Sequence, residues 1–290
     1  MFGIIGHAAI DIIRRGSRVL RSPGGAPTYC SFYLKQINIE VVPISIVGID
    51  FNDYLMEYAS RGINTSKIRI DNTHTTSYEI TYLDDSHRKL RLVARCRDFT
   101  REDLDDLPNV VAVNPIAGEI SLDVLNYVRS RVNFLGVDIQ GFTRMFDSEG
   151  YVKTVMNLNN VALILRNADI IKISIDDTQI EGIQTLADRH RDKVIVISMG
   201  AQGSMMIHNG KVLRLSTSGI VDAKDPTGAG DVLTCMMTYL LSKGEDLVWS
   251  FIYSNAVAAA KTISEGPYGS ISRELLESIM SRLYLRLVKS

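Results

Sequence analysis

Six short runs rich in isoleucine and valine punctuate the chain, at residues 2–6, 41–47, 110–113, 134–138, 169–173 and 193–198. Apolar runs of that length, bounded by polar and glycine-containing segments, predict strands buried on both faces. Helix-period patterns fall between most of them, over residues 29–36, 52–61, 122–131, 177–189 and 246–264. A parallel strand pair needs a crossover, and a crossover helix covers the sheet it leaves. The alternation therefore predicts an α/β fold with a mostly parallel central sheet flanked by helices. The chain has 290 residues, 46% of them hydrophobic, enough for one large core. No fixed-period repeat and no Pro/Ser-rich linker interrupts it, so residues 1–290 are expected to form a single domain.

One segment breaks the alternation. In SYEITYLDDSHRKLRLVARC, Tyr78, Ile80 and Tyr82 share one face, Asp84, Asp85, Ser86 and His87 make a polar turn, and Leu90, Leu92 and Ala94 share the next face. The pattern predicts a hairpin. Two strands with one apolar face do not stand alone in water, so the hairpin is expected to cover a binding cleft or the same hairpin of a second subunit. A small β lid is expected from about residues 12–20 and 73–98, together with a homodimer through the hairpin.

Charge and cysteine content narrow the partners. With 32 basic and 33 acidic residues the net charge is -1, which gives no electrostatic footprint for nucleic acid or an anionic membrane; a small-molecule ligand fits better. Cys30, Cys96 and Cys235 are widely spaced with no CxxC pair, which argues against a disulfide framework or a zinc site and for a reducing cytoplasm. The apolar N-terminus breaks at Asp11, Arg14 and Arg15, far short of a membrane span; it is expected to be an opening core strand.

The chemistry concentrates in DPTGAGD, residues 225–231, which runs directly into an apolar stretch. Gly228 and Gly230 permit backbone conformations closed to other residues, and the segment after them has a helical pattern that is apolar nearly all round. A helix N-terminus offers unpaired N–H groups and the positive end of the dipole to an anion such as a phosphoryl group. Asp231 beside such a site repels the anion, which makes sense for a base that takes a proton from an attacking hydroxyl. Taken alone, Asp231 also fits an ordinary acid of a first helical turn. The stretch is neither a Walker-type P-loop nor a dinucleotide fingerprint, because the lysine of the first and the third glycine of the second are missing.

Other stretches are individually weaker. Ser198, Gly200 and Gly203 follow a strand and suit either a hairpin loop or a close approach to a ligand. Ser174, Asp176 and Asp177 close another strand, at the edge where open α/β sheets collect ligands; magnesium favours such oxygens, and the same acids also suit the start of a helix. Asp11, in an apolar surround ahead of Gly24 and Gly25, calls for a partner that a polyol's hydroxyl pair would supply; a buried cap is the alternative. The five histidines show no metal spacing, and no Gly-x-Ser-x-Gly turn is present.

Together, and in this order, these stretches resemble the ribokinase-like (PfkB) family of small-molecule kinases, from Gly3 to about Ser272. The resemblance implies a three-layer sandwich with a small β lid. It implies Asp231 as catalytic base, with Gly228, Ala229 and Gly230 as the anion hole. Asp11, Gly24 and Gly25 match the family's substrate-holding acid and diglycine, and Val47-Gly48-Ile49-Asp50 looks like its V-G-x-D turn. Gly200 and Gly203, with Ser198, look like its nucleotide-side turn, beside Asp225 and Thr227. Asn255, Gly266 and Ser270 are similar in spacing to residues bordering the adenine and a cation loop. Arg144, in VDIQGFTR, resembles an arginine that reaches phosphate, although a surface position suits it equally.

Departures from the pattern are Tyr29 in place of an asparagine, Ser174 to Asp177 in place of N-x-x-E, and Asp53 in place of a glycine. The first questions simple ribose recognition and leaves Tyr29 to stack on a base or pack in the core; the second gives the metal ligand Asp177 a shorter arm. The resemblance implies ATP-dependent phosphorylation of a hydroxyl on a sugar, polyol or nucleoside, with Mg2+ and a monovalent cation near Asp225 and Ser270. A nucleoside or inositol kinase, or a catalytically weakened binding protein on the same fold, is the alternative.

Overall fold

The computed structural model describes residues 1–83, 88–175 and 180–289. The chain opens with β1 (Phe2–Ile5), β2 (Ala9–Arg15) and β3 (Arg18–Gly24), followed by α1 (Gly25–Gln36), β4 (Val41–Gly48), α2 (Asn52–Ser60) and β5 (Ile68–Asp71). Next come β6 (Ser77–Tyr82), β7 (Arg88–Ala94), β8 (Val110–Val113), α3 (Leu122–Arg129) and β9 (Phe134–Asp138). A short α4 (Gln140–Thr143) precedes β10 (Arg144–Phe146), β11 (Val152–Thr154), α5 (Leu158–Asn167), β12 (Ile170–Ser174), α6 (Ile180–Arg189) and β13 (Val194–Ser198). The C-terminal part holds β14 (Ser204–His208), β15 (Lys211–Leu215), α7 (Ala229–Ser242), α8 (Leu247–Thr262), α9 (Arg273–Tyr284) and β16 (Leu287–Lys289).

Ten strands form the main sheet in the order β16-β15-β14-β13-β12-β9-β8-β1-β4-β5. From β13 to β5 every neighbouring pair is parallel, and β14, β15 and β16 extend the sheet antiparallel. Both faces are covered, and the two-residue period of the strands divides the side chains between them. In β13, Val194 and Val196 join the core with α1, α7, α8 and α9, whereas Ile195 and Ile197 join the core with α3, α5 and α6. This is why the strand runs are apolar without alternation. α7 is apolar nearly all round because it lies between the sheet and α8, and a Cβ at Gly136 of β9 would strike Thr238 of α7.

The hairpin expected at residues 77–96 is β6 and β7; its turn, residues 84–87, lies outside the described residues. The two strands belong to a second sheet, β3-β2-β6-β7, in which β2 and β6 run parallel. Its inner face, with Ala9, Ile13, Tyr78 and Ile80, closes a third small core against Ile116 and Ala117, joined by Phe146 and Val152 of the β10-β11 hairpin. The helix expected at 29–36 begins earlier, at Gly25, with Gly24 as its N-cap.

Candidate active site

Because the inner strands are parallel, their C-terminal ends share one edge, where open α/β sheets bind ligands. Asn114 follows β8 there, Asp138 ends β9, Lys172 lies near the end of β12, and α7 starts against them with Gly228 as N-cap. Gly228 has φ +79°, and a Cβ on it would lie inside the Tyr29 ring, so only glycine fits. It brings no side-chain acceptor to the helix, and the first turn keeps its partial positive charge for an anion.

Asp231, in that first turn, is half-buried and accepts a hydrogen bond from Asn114 Nδ2 at 3.3 Å. Burial, then the nearby Asp138 carboxylate, pushes its carboxyl up to about 6, against the opposing pull of Lys172, Asn114 and Arg144. Asp138 and Lys172 form a buried ion pair, Oδ2 to Nζ 2.8 Å. A Cβ at Gly230 would come within 2.9 Å of Lys172 Nζ. The glycine therefore lets an ammonium sit beside the anion-attracting turn. The arrangement combines a proton acceptor, a helix N-terminus and a buried cation, which are the parts that in-line transfer of a phosphoryl group requires.

Asp11, on β2, is 4% exposed. A Cβ at Gly24 would land on its carboxylate, and one at Gly25, whose φ is +74°, on the His7 carbonyl. The diglycine thus brings the α1 N-terminus against Asp11. Tyr29 Oη donates to Asp11 Oδ2 at 3.2 Å. Its ring is 1% exposed and packs against Gly228, with Lys261 Nζ 5.1 Å from its centroid. Of the two readings of Tyr29, packing in the core is the one observed: the enclosed ring has no face for a base, and the residue reaches the site through Asp11. Burial and then the Asp11 and Asp225 carboxylates push the phenol well above its usual range.

Asp225 anchors the turn ahead of α7. Thr227 N and Tyr82 Oη each donate to its Oδ1 at 2.9 Å, and Gly266 N donates to Oδ2 at 2.8 Å. Gly200 (φ +55°) and Gly203 (φ +105°) make the β13-β14 connection, so the hairpin reading is correct there; a Cβ at Gly203 would strike the Leu215 carbonyl. Ser198 pairs in register with Ser174 at the same sheet edge. Asn255 is 4% exposed and spends its amide internally, accepting from Ser204 Oγ at 2.7 Å and donating to the Phe251 carbonyl at 2.8 Å. It braces β14 against α8 from beneath, whereas Ser270 is exposed.

Arg144 donates to the Ile116 carbonyl at 3.1 Å and lies 5.7 Å from the Tyr78 ring centroid, and its charge acts on Asp231; it belongs to the site's wall. Asp50 accepts from Thr75 N and Thr75 Oγ1 at 2.9 and 2.6 Å, tying β4 to the entry of β6. Asp177 lies outside the described residues. Among the described residues no three His, Cys, Asp or Glu side chains gather as a metal cluster; magnesium needs only one or two carboxylates beside substrate phosphates and water. Sequence reasoning missed Lys172 and Asn114 as site residues. The signal for Lys172 was a lone charge inside the apolar run IIKIS, which burial forces to find a partner.

The sheet edge, the uncapped glycine turn and the paired buried charges lie together at the C-terminal ends of the parallel strands of an α/β fold. The chain belongs to the pfkB family of carbohydrate kinases, whose pattern matches residues 4–273. Inositol 3-kinase of Arabidopsis thaliana is 26% identical over 239 residues, which are 79% of this chain and 64% of that relative, just under two thirds of its length. A pyrophosphate-dependent kinase in the ribokinase family, solved with a pyrophosphate analog and myo-inositol, superposes with TM-score 0.78 at 20% identity, over 96% of this chain and 100% of that one. The nucleoside kinase of Burkholderia thailandensis, solved with inosine, gives 0.79 at 16%, over 98% and 99%. At these identities the two structures are similar in fold.

Proposed function

We propose that the protein transfers the γ-phosphoryl group of ATP to a hydroxyl of a sugar, polyol or nucleoside. The observation that carries this reading is Asp231: a carboxyl lifted to about 6, at the N-terminus of α7 and beside Lys172, ionises at neutral pH and retains the basicity to accept a hydroxyl proton. Asp11, oriented by Tyr29, holds the acceptor's hydroxyls. Lys172 and the N–H groups after Gly228 stabilise charge on the equatorial oxygens as the acceptor oxygen attacks in line. A bound Mg2+ would supply further charge neutralisation on the donor phosphates; Asp177, the ligand that the family resemblance implies, lies outside the described residues.

The β3-β2-β6-β7 sheet acts as a lid that excludes water from the transfer and as a homodimer surface. Tyr82 of that sheet reaches Asp225, and Arg15 Nη2 donates to the Lys224 carbonyl at 2.8 Å, so closure and the donor-side turn are in contact. The reading includes a cytoplasmic location, which its three free cysteines suit.

The test is product formation from myo-inositol, fructose, ribose and inosine, each with ATP and with pyrophosphate as donor. A cyclic polyol is the first acceptor to try, because the Arabidopsis relative is an inositol 3-kinase and one structural neighbour was solved with myo-inositol bound. Turnover with an acceptor that Asp231→Asn abolishes supports the reading. Acceptor binding without turnover from either donor refutes it in favour of a binding protein.

A further inference from the structure

Lys261 has no exposed surface, although it sits on apolar α8 directly after Val257, Ala258, Ala259 and Ala260. Lysine is almost never buried to this degree unless its charge is paired. Its Nζ donates to the Asp225 carbonyl at 2.9 Å, lies 3.5 Å from Asp225 Oδ2, and stands over the Tyr29 ring. A backbone carbonyl, a carboxylate and an aromatic face together are a ligand set for a monovalent cation. The next residue completes the grip: the Thr262 carbonyl accepts from Lys224 N at 2.7 Å and Asp225 N at 3.0 Å. Two consecutive residues of α8 thus hold both the amides and the carbonyl of the turn that leads to Gly228.

The family resemblance implies a monovalent cation near Asp225 and Ser270, and these residues do not fit one at Asp225. Both carboxylate oxygens are already engaged, Oδ1 by Thr227 and Tyr82, Oδ2 by Gly266 and Lys261. A second positive charge there would face a buried ammonium at short range, with little water to screen it. We propose that Lys261 is a tethered cation, which neutralises Asp225 from inside the fold and fixes the turn ahead of the anion hole, so that the protein needs no monovalent cation from solution. Lys261 acts through Asp225 and is a positioning residue.

The experiment compares wild type and Lys261→Ala in potassium, sodium, methylammonium and choline chloride at matched ionic strength, by thermal melting and, with the acceptor found above, by turnover. Wild type is expected to melt at the same temperature in all four salts and to turn over at rates that agree within about twofold, a spread equivalent to roughly 0.4 kcal/mol. Lys261→Ala is expected to melt several degrees lower and to recover in potassium or methylammonium but not in choline. A potassium-specific rise in the wild-type melting point or turnover overturns the inference, as does a variant that melts equally low in every salt. If Lys261→Ala does not fold, the wild-type comparison decides. Melting needs no substrate, so a chain inactive in every salt refutes the kinase reading while its melting points still decide this one.

Discussion

Asp231→Asn separates the chemical role of the carboxylate from its place in the fold, because the two readouts move in opposite directions. Asn keeps the shape and can still accept from Asn114 Nδ2, but it neither ionises nor takes a proton. With Asp231 as the proposed general base, its loss should lower turnover by about 10²- to 10⁴-fold. Stability should rise. Moving the carboxyl from 3.8 to about 6 penalises its ionised folded form by at most about 3 kcal/mol, since a tenfold change in protonation is worth roughly 1.4 kcal/mol. The folded state holds this proton more tightly than the unfolded state, so stability falls as pH rises from 3.8 to about 6, and the penalty is complete above that window.

Asn escapes the penalty. Its melting point should exceed wild type by several degrees at pH 8 for a chain of this size, and the gap should close as pH falls through 6 toward 4. Wild-type kcat/KM should lose tenfold per pH unit below about 6. Calorimetry of both proteins across that range, with a pH-rate profile of the wild type, checks the pair. A variant less stable than wild type at pH 8, or one that retains turnover, refutes the reasoning.

Gly228→Ala should fail to give soluble protein or melt far below wild type, since the new methyl needs φ near +79° and the space held by Tyr29; expression and melting decide. Lys172→Met strands the buried Asp138 carboxylate and should cost about 3–5 kcal/mol, measured by denaturant unfolding. Adding Asp138→Asn should restore most of that stability without restoring turnover, because the cation beside Gly230 is still gone. Tyr82→Phe keeps the ring beneath the Arg15 guanidinium, 4.1 Å from its centroid, and removes only the hydroxyl on Asp225. Stability should drop by about 1 kcal/mol while the acceptor KM rises, read from melting and steady-state kinetics.

The parallel sheet was legible because both faces of its strands are buried, which leaves largely apolar runs such as VIVI and VVPISIV, with no polar-apolar alternation. α5 was missed although it has an Asn157 cap and apolar Val161, Ile164 and Leu165, because polar Asn159 and Asn160 dilute its first turn. β5, β10, β11 and β16 are short edge or hairpin strands, and their exposed faces carry no apolar run. In the site, DPTGAGD and the diglycine were legible as local backbone requirements. The Asp138-Lys172 pair, the Asn114 bond to Asp231 and the burial of Tyr29 were not. Each depends on which residues of separate strands and helices meet at one sheet edge, and no local pattern encodes that meeting.

The division of labour between the two aspartates of DPTGAGD follows from what each meets there. Both are withdrawn from water, which by itself favours the protonated form. For Asp225 that tendency is overcome by the Lys261 ammonium and by hydrogen bonds from Thr227 and Gly266, and the carboxyl is held below its usual value. For Asp231 the direct hydrogen bond comes from a neutral amide, Asn114, while Lys172 spends its short contact on Asp138. Burial and the Asp138 charge then prevail, and the carboxyl rises. Two carboxylates six residues apart are thus driven in opposite directions, which is how acid-base roles separate within one site. Asp225 stays ionised and fixes the turn. Asp231 is left able to exchange a proton near neutral pH, and Lys172 can lie beside Gly230 without suppressing that exchange only because Asp138 absorbs part of its charge.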